Sequence, residues 1–223
     1  MLGLGLALTG CASRRPRPGM PGDLWTGKGN GWQRSSEPMP SAPAASEPTV
    51  SVSTSVLPRS QWTARGPILS QTEPMNTVTR ITLHHDGMPP ALLRTKADVA
   101  SRLEVIRRAH VEHRGWADIG YHYIVDPSGR VWEGRPVSRQ GAHVKDLNPN
   151  NVGVLVLGNF EEQRPTTEAL AAIGQFVRSL MSRHRVPLTR VVTHQELAST
   201  VCPGRNLQPQ IVRMRSAGGV LAG

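Results

Sequence analysis

The sequence predicts a single α/β domain in which helices flank a central mixed β-sheet, and three observations support this class. Short apolar segments with β-branched residues alternate with segments of helical periodicity along residues 58–215. One of the predicted strands is apolar throughout, which is typical of a strand buried on both faces. The chain has 223 residues, enough for one domain of ordinary size and an appended segment. We therefore expect a layered α/β architecture.

The amino-terminal segment has the features of an export signal. An apolar run of ten residues, "MLGLGLALTG", precedes Cys11, and it is too short for a membrane-spanning helix, which needs about 20 residues. The tetrapeptide "LTGC" resembles the lipobox of bacterial lipoproteins, in which cleavage leaves an acylated cysteine as the first residue. We predict a signal peptide at residues 1–11 with lipidation at Cys11. The alternative is an ordinary secretory signal that happens to contain a cysteine. One departure from the signal pattern is that no Lys or Arg precedes the run.

The lipobox resemblance also implies a location. Ala12, rather than Asp, follows the cysteine, which by resemblance to Gram-negative sorting rules suggests the outer membrane. We expect a bacterial cell-envelope protein on the periplasmic face of the outer membrane, attached through its lipid anchor only. Residues 12–57 are rich in Pro, Ser, Gly and Ala and are predicted to form a disordered tether. Residues 216–223 are predicted to be a flexible tail.

The first half of the folded region contains a strand, a helix and a hairpin. "TRITLHH" predicts a strand that ends in two histidines. "ADVASRLEVIRRAHVEHRGW" predicts a helix whose apolar positions are Val99, Leu103, Ile106 and His110. Gly115 is expected to end this helix. "YHYIVDPSGRVWEG" contains two short strands around a Pro-Ser-Gly turn, which predicts a β-hairpin.

The second half contains two further strands with a helix between them. "NVGVLVLGNF" is the continuously apolar strand. "TTEALAAIGQFVRSLMSRHR" predicts an amphipathic helix that ends before Pro187. The residues of its apolar stripe are Leu170, Ile173, Val177, Leu180 and Met181. "LTRVVTH" predicts a strand that again ends in a histidine, so the sheet has two strands with histidine at the carboxyl end.

The charge balance favours anionic partners. The chain carries 26 Lys and Arg residues against 16 Asp and Glu residues, for a formal net charge of +10. Nucleic acid, anionic lipid headgroups and acidic cell-wall polymers would all suit this excess. The basic residues are spread along the chain without a dense stripe, so no nucleic-acid partner is expected. We expect a monomer.

Three residues at the strand ends have the chemistry of a zinc site. His84 and His194 end two predicted strands, and Cys202 follows His194 within one loop. Zinc accepts imidazole nitrogen and thiolate sulfur, and catalytic zinc sites use three protein ligands. An exported protein normally pairs its cysteines, but the lipid anchor would occupy Cys11, which leaves Cys202 without a partner in the chain. Spacing alone also fits structural histidines and a buried cysteine.

Five ordered blocks are similar to a known family. They are "RSQWTARGP", "ITLHHDGMP", "RGWADIGYHYIVDPSGRVWEGR", "GAHVKDLNPNNVGVLVLGNF" and "THQELASTVCPG". Their order resembles that of the peptidoglycan recognition proteins and phage-lysozyme type N-acetylmuramoyl-L-alanine amidases. The resemblance spans nearly all of the folded region, and it implies a Zn²⁺ cofactor held by His84, His194 and Cys202. Peptidoglycan is the partner that it implies.

The same resemblance assigns further site residues. Tyr121 matches the catalytic tyrosine of the family, although a tyrosine in such a segment also suits a core. Thr200 matches a position where the family has threonine or lysine, and its hydroxyl could donate to an oxyanion. His143 matches a groove histidine near the metal, and His85 follows the first metal ligand. His85, His143 and Arg135 are expected to border the substrate.

The resemblance implies hydrolysis of the amide between N-acetylmuramic acid and L-alanine. Zinc lowers the pKa of water toward about 7, so that a nucleophile forms without a strong base. Glu133 is a distant candidate for a general base. The main alternative is a peptidoglycan-binding protein of the same fold that does not cut its ligand. Such members typically lose the cysteine ligand, which this chain keeps. A lipoprotein that only links envelope to wall would need no metal.

Overall fold

The computed structural model describes residues 55–222 of the chain. The strands are β1 (Val56–Leu57), β2 (Arg80–His85), β3 (Tyr123–Val125), β4 (Val131–Glu133), β5 (Asn151–Val156) and β6 (Val191–Thr193). The helices are α1 (Lys96–Arg108), α2 (Thr167–His184) and α3 (Gln208–Arg215). The predicted signal peptide, its Cys11 and most of the predicted tether lie outside the described residues. Within those residues, no helix is both long and apolar enough to cross a membrane.

The six strands form one mixed sheet in the order β1-β4-β3-β5-β2-β6. β2 pairs in parallel with both β5 and β6, and β5 pairs in parallel with β3. β3 and β4 form the predicted antiparallel hairpin, and β1 adds to its edge in parallel. The predicted mixed α/β fold is thereby confirmed. Because β2, β3, β5 and β6 run in the same direction, their carboxyl ends meet at one edge of the sheet, where ligand sites gather in such folds.

Helices cover both faces of the sheet and divide its core in two. On one face, α2 and α3 pack on the sheet through Ile173, Val177 and Ile211. On the other face, α1 packs through Val99 and Leu103. β5 is buried along its whole length, because its side chains alternate between the two cores. The apolar character of this strand follows from that burial.

Helix α1 changes geometry before it ends. Thr95 and Asp98 form a capping box at its start, each side chain bonding to the backbone amide of the other. After Arg108 the chain continues as a π-helical turn, Ala109–His113. Gly115 follows at φ +66°, in the left-handed region, so the predicted stop is confirmed. The regular helix is shorter than predicted, because a π-helical turn replaces its last part.

Two predicted boundaries are corrected by the structure. The predicted tether extended to residue 57, but Val56 and Leu57 form β1 and pair with β4. Residues 216–222 were predicted to be flexible, but Leu221 is only 4% exposed and belongs to the α2 core. The amide of Leu221 donates to the Met214 carbonyl at 2.9 Å. A short apolar segment after a helix can therefore close the core, although its composition resembles that of a tail.

Candidate active site

Three predicted metal ligands meet at the carboxyl edge of the sheet. One nitrogen each from His84 and His194 and the Sγ atom of Cys202 all lie within 4.8 Å of one another. Nδ1 of His84 is 3.7 Å from Sγ of Cys202, and the two imidazole rings are 4.7 Å apart between centroids. His84 is fully buried and Cys202 is 9% exposed, whereas His194 is partly open to solvent. This group could hold a metal ion.

Strand register and a folded loop bring the three residues together. Leu83 of β2 is paired with Thr193 of β6, so the residues that follow them, His84 within β2 and His194 directly after β6, lie side by side. The Gln195 amide donates to the Cys202 carbonyl at 2.8 Å, which folds the loop back on itself. The amide of His85 donates to Sγ of Cys202 at 3.4 Å and would stabilise a thiolate there. The site is therefore assembled by two parallel strands and one loop.

The electrostatics of the group suit a divalent cation. Burial, followed by the neighbouring His143 and His194, holds the pKa of His84 well below its usual value. Burial also lowers the pKa of His194. Both imidazoles are thus neutral near pH 7 and can offer a lone pair. Burial raises the pKa of the Cys202 thiol to about 12, so its proton must leave when a metal binds. Two nitrogens and one sulfur form a donor set that fits zinc and leaves a fourth position open.

Tyr121 lies next to this donor set. Its ring centroid is 5.2 Å from that of His84 and 6.3 Å from that of His143. Burial, followed by the nearby Cys202 and Asp86, raises the pKa of the phenol above its usual value. The phenol therefore keeps its proton at neutral pH and can act as a hydrogen-bond donor.

Thr200 lies on the loop that carries the thiol. Its Oγ1 accepts a hydrogen bond from the Cys202 amide at 3.2 Å, and the residue is exposed. Since that bond uses a lone pair of the oxygen, the hydroxyl proton remains available for another acceptor. The position is compatible with the predicted contact to an oxyanion.

His143 is close to the metal ligands but does not offer a free nitrogen. It is 7% exposed, its Nδ1 lies 3.1 Å from Nε2 of His84, and its Nε2 lies 3.1 Å from the carbonyl oxygen of Asn151. Both ring nitrogens thus have a partner within the protein. The geometry gives His143 a contact with a metal ligand. Its ring also lines the surface cavity beside His194, so its predicted place at the border of the substrate stays a prediction.

His85 and Arg135 also have partners that differ from the predicted ones. Successive strand residues face opposite sides of a sheet, so the His85 ring lies on the other side from His84. Its Nδ1 accepts from the Phe160 amide at 3.2 Å. The Arg135 guanidinium is buried and donates to the carbonyls of Ile119, Gln140 and Asp118. The structure gives both side chains internal contacts. Arg135 also lines the surface cavity beside Trp116 and Gln140, so its predicted place at the border of the substrate stays a prediction, as does that of His85.

Two carboxylates near the site are likewise held by the protein. Asp86 forms an ion pair with Arg102 of α1 at 2.9 Å and accepts from the Met88 amide. Glu133, the candidate general base, accepts from the Arg59 amide at 3.1 Å. Glu133 therefore fixes the start of the domain, and its geometry gives no support to a role as base.

A groove extends from the donor set along the surface. Its first part has a volume of about 460 Å³ and includes His194 and His143 in its lining. The other side chains that matter for binding there are Arg114, Trp116 and Lys145. A second part of about 440 Å³ shares Trp116 and continues toward Gln140. The sequence reasoning missed these three groove residues. Trp116 lies in the block "RGWADIGY", which is part of the family resemblance, and its place in that block could have indicated a groove residue.

The chain belongs to the N-acetylmuramoyl-L-alanine amidase family, whose model matches residues 74–205. Among curated relatives, the peptidoglycan-recognition protein SC2 of Drosophila melanogaster is 29% identical over 157 residues, which cover 70% of this chain and 84% of that protein. The N-acetylmuramoyl-L-alanine amidase of Sus scrofa is 31% identical over 150 residues, which cover 66% of this chain and 25% of that protein. The expected family membership is thus confirmed.

Solved structures agree with this assignment. The wild-type Drosophila recognition protein PGRP-LB has a TM-score of 0.64 and 27% identity, and the match covers 70% of this chain and 92% of that one. Recognition protein LE, solved with tracheal cytotoxin, described as a monomeric diaminopimelic acid-type peptidoglycan, has a TM-score of 0.63 and 28% identity. That match covers 70% of this chain and 91% of the other. The family therefore includes both proteins named for recognition and proteins named for hydrolysis.

Proposed function

We propose that this protein is a zinc-dependent N-acetylmuramoyl-L-alanine amidase that hydrolyses the amide between N-acetylmuramic acid and L-alanine in peptidoglycan. The observation that carries the proposal is the convergence of His84, His194 and Cys202 donors within 4.8 Å at the carboxyl edge of the sheet. A catalytic site needs three such ligands and an open position, and His194 is partly open to the groove.

The three ligand side chains would hold a zinc ion, which when bound polarises a carbonyl and lowers the pKa of water. Tyr121 and Thr200 then supply the proton donors. The phenol of Tyr121 stays protonated because its pKa is raised, so it can donate to the oxygen of the scissile carbonyl as negative charge develops. The exposed Thr200 hydroxyl adds a second donor from the loop that carries Cys202.

The groove gives the proposed substrate its binding surface. Its first part is lined by two cationic side chains, Arg114 and Lys145, and one carboxylate, Asp146, and this positive excess suits the carboxylates of a peptidoglycan stem peptide. Trp116 supplies an aromatic face. Three of the similar solved structures contain tracheal cytotoxin, a monomeric diaminopimelic acid-type peptidoglycan. We infer that the stem peptide lies along this groove with its L-alanine end at the donor set.

A protein of the same fold that binds peptidoglycan without cutting it is the second candidate. The recognition proteins among the relatives support it. The presence of Cys202 at hydrogen-bonding distance from the His85 amide favours the enzyme, because a binding groove alone has no need for a thiolate site.

Digestion of purified peptidoglycan by the zinc-loaded protein separates the two candidates. We expect mass spectrometry to detect free stem peptides with an L-alanine amino terminus, and intact glycan strands. Removing zinc with a chelator should stop the release, and adding zinc back should restore it. Sedimentation of the protein with the wall and no release of peptides would favour the binding function instead.

We further propose that Cys11 carries the lipid that attaches the protein to the periplasmic face of the outer membrane. The lipobox resemblance supports this proposal. A lipid-anchored monomer could then act on the adjacent wall. Cys11→Ala should move the protein from the membrane fraction to the soluble fraction, because the anchor contributes most of the membrane affinity. A variant that stays in the membrane fraction would contradict lipidation as the anchor.

A further inference from the structure

We propose that His143 is a positioning residue that fixes the tautomer of His84 and so aims Nδ1 of His84 at the metal. The inference rests on the metal site of the proposed function, but it concerns how the protein prepares that site. It assigns His143 a role that differs from contact with substrate. The evidence is a chain of hydrogen bonds whose direction is set at one end.

The backbone carbonyl of Asn151 sets the donor and acceptor roles along this series of hydrogen bonds. A carbonyl oxygen can only accept, so Nε2 of His143, 3.1 Å away, must carry a proton. In a neutral imidazole the other nitrogen is then an acceptor, so Nδ1 of His143 accepts from Nε2 of His84 at 3.1 Å. Nε2 of His84 therefore carries the proton. Its Nδ1 keeps the lone pair and lies 3.7 Å from Sγ of Cys202.

The surroundings of His143 favour its neutral form. The ring is buried, and its two nitrogens face another imidazole and a backbone carbonyl, neither of which is an anion that would stabilise a charged ring. His122 shows the same arrangement of bonds. Its Nε2 lies 3.0 Å from the Arg139 carbonyl and its Nδ1 accepts from the Gly153 amide at 2.9 Å. Each of these buried histidines thus donates to a carbonyl and accepts through the other nitrogen.

The protein also fixes where the His143 ring lies. A Cβ atom at Gly153 would come within 2.7 Å of the ring, and one at Gly141 within 2.4 Å, so these two glycines make room for it. Gly153 is paired with Thr82 of β2, on the face of the sheet that also carries His84. Asn148 accepts from the amides of His143 and Val144 at 2.8 and 2.9 Å and holds the backbone.

The Asn151 carbonyl, at which the series of hydrogen bonds begins, is also fixed by contacts within the protein. Asn151 is the first residue of β5, and its side chain accepts from the Thr82 hydroxyl at 2.8 Å and donates to the Leu147 carbonyl at 2.9 Å. The sequence of bonds from β5 through His143 to His84 is thus built from fixed groups. Such outer contacts typically change metal affinity by about 10- to 100-fold when removed.

The tautomer can be read directly in the metal-free protein by nitrogen-15 NMR of the histidine rings. We expect His84 to be protonated at Nε2 and unprotonated at Nδ1 before any metal is added. In His143→Leu this preference should weaken, because the acceptor is gone. His143→Gln, whose amide can still accept and donate, should restore it. A wild-type His84 protonated at Nδ1 would overturn the proposal, and this test needs no variant to fold.

Zinc affinity, measured by competition with a chelator, gives the second readout. His143→Leu should bind zinc about 10- to 100-fold more weakly than wild type, and His143→Gln should recover most of the loss. His184→Leu, at the end of α2, serves as the control and should bind as wild type, because His184 lines a separate cavity with Asn76 and Thr77, before the start of β2. Equal affinity in wild type and His143→Leu would overturn the proposal.

These results are distinguishable from failure of the proposed function. If the wild type binds zinc with a His143-dependent affinity but releases no stem peptides, the amidase proposal fails and the positioning role stands. If it releases stem peptides while His143→Leu keeps full zinc affinity, the positioning role fails and the amidase proposal stands.

Discussion

The Sγ atom of Cys202 lies 3.7 Å from Nδ1 of His84, although 118 residues separate them in the sequence. The parallel pairing of β2 with β6 brings His194 to the level of His84, and the loop after β6 returns the chain to place the thiol. The site therefore depends on the pairing of β2, a buried inner strand, with β6, the edge strand beside it. Substitutions around it test separate parts of the account.

Tyr121→Phe should leave the fold and the zinc content unchanged and lower turnover by about 100- to 1000-fold. The substitution removes only the hydroxyl, and the loss of one oxyanion donor has an effect of about this size. The measurement is the initial rate of stem-peptide release, with zinc determined on the same sample. A rate equal to that of wild type would assign Tyr121 to packing against His84 and His110 alone.

Thr200→Val should have a smaller effect, on the order of tenfold in turnover, since a neutral hydrogen bond contributes about 1 kcal/mol. The substitution also removes the acceptor for the Cys202 amide. Thr200→Ser keeps both the donor and the acceptor and is the matched control, so it should be close to wild type. If Thr200→Ser lost as much activity as Thr200→Val, the hydroxyl would not be the group that matters.

Much of this fold was predictable because local pattern and tertiary structure agree. The buried strand β5, the amphipathic α2 and the hairpin of β3 and β4 all have patterns that match their surroundings. The histidines at the ends of β2 and β6 could be assigned to one site because parallel strands end at one edge. Spacing alone also fitted a buried structural cysteine, so the assignment of Cys202 as the third zinc ligand rested on the family resemblance.

The misses have physical causes. The three carbonyl partners of the Arg135 guanidinium could not be predicted, because they come close to it only in the folded chain. The π-helical turn after Arg108 could not be predicted, because nothing in the segment Ala109–His113 distinguishes i→i+5 from i→i+4 hydrogen bonding. The segment 216–222 is short and rich in small residues, and only the surface of α2 shows why Leu221 is buried.

Leu221→Ala tests the correction at the carboxyl terminus. Leu221 is 4% exposed within the α2 core, so its truncation should lower the free energy of unfolding by about 2 to 5 kcal/mol. Denaturant unfolding of the full chain measures this. Val212→Ala, at a residue 47% exposed on α3, is the control and should change stability by less than about 0.5 kcal/mol. Equal effects in the two variants would mean that this segment does not close the core.

His122 should contribute to the loss of folding stability of the metal-free protein at low pH. Burial lowers its pKa from 6.5 to about 4. The unfolded chain therefore takes up this proton first, and the free energy of unfolding should fall as the pH drops from about 6.5 to about 4. The glutamine of His122→Gln does not titrate. Between pH 6.5 and 4 the free energy of unfolding of this variant should therefore decrease less than that of wild type, by up to about 3 kcal/mol. Unfolding of the metal-free protein across this range is the measurement, and parallel pH profiles for the two proteins would contradict it.

The zinc content of Cys202→Ser, compared with that of wild type after dialysis, tests the central claim most directly. A hydroxyl is a poor zinc ligand at neutral pH, and two histidines should hold the ion weakly. We expect about one zinc per wild-type chain, almost none in Cys202→Ser, and a wild-type content in His85→Gln, whose ring lies on the other face of β2. Full zinc in Cys202→Ser, or none in wild type, would contradict a metal centre built from His84, His194 and Cys202.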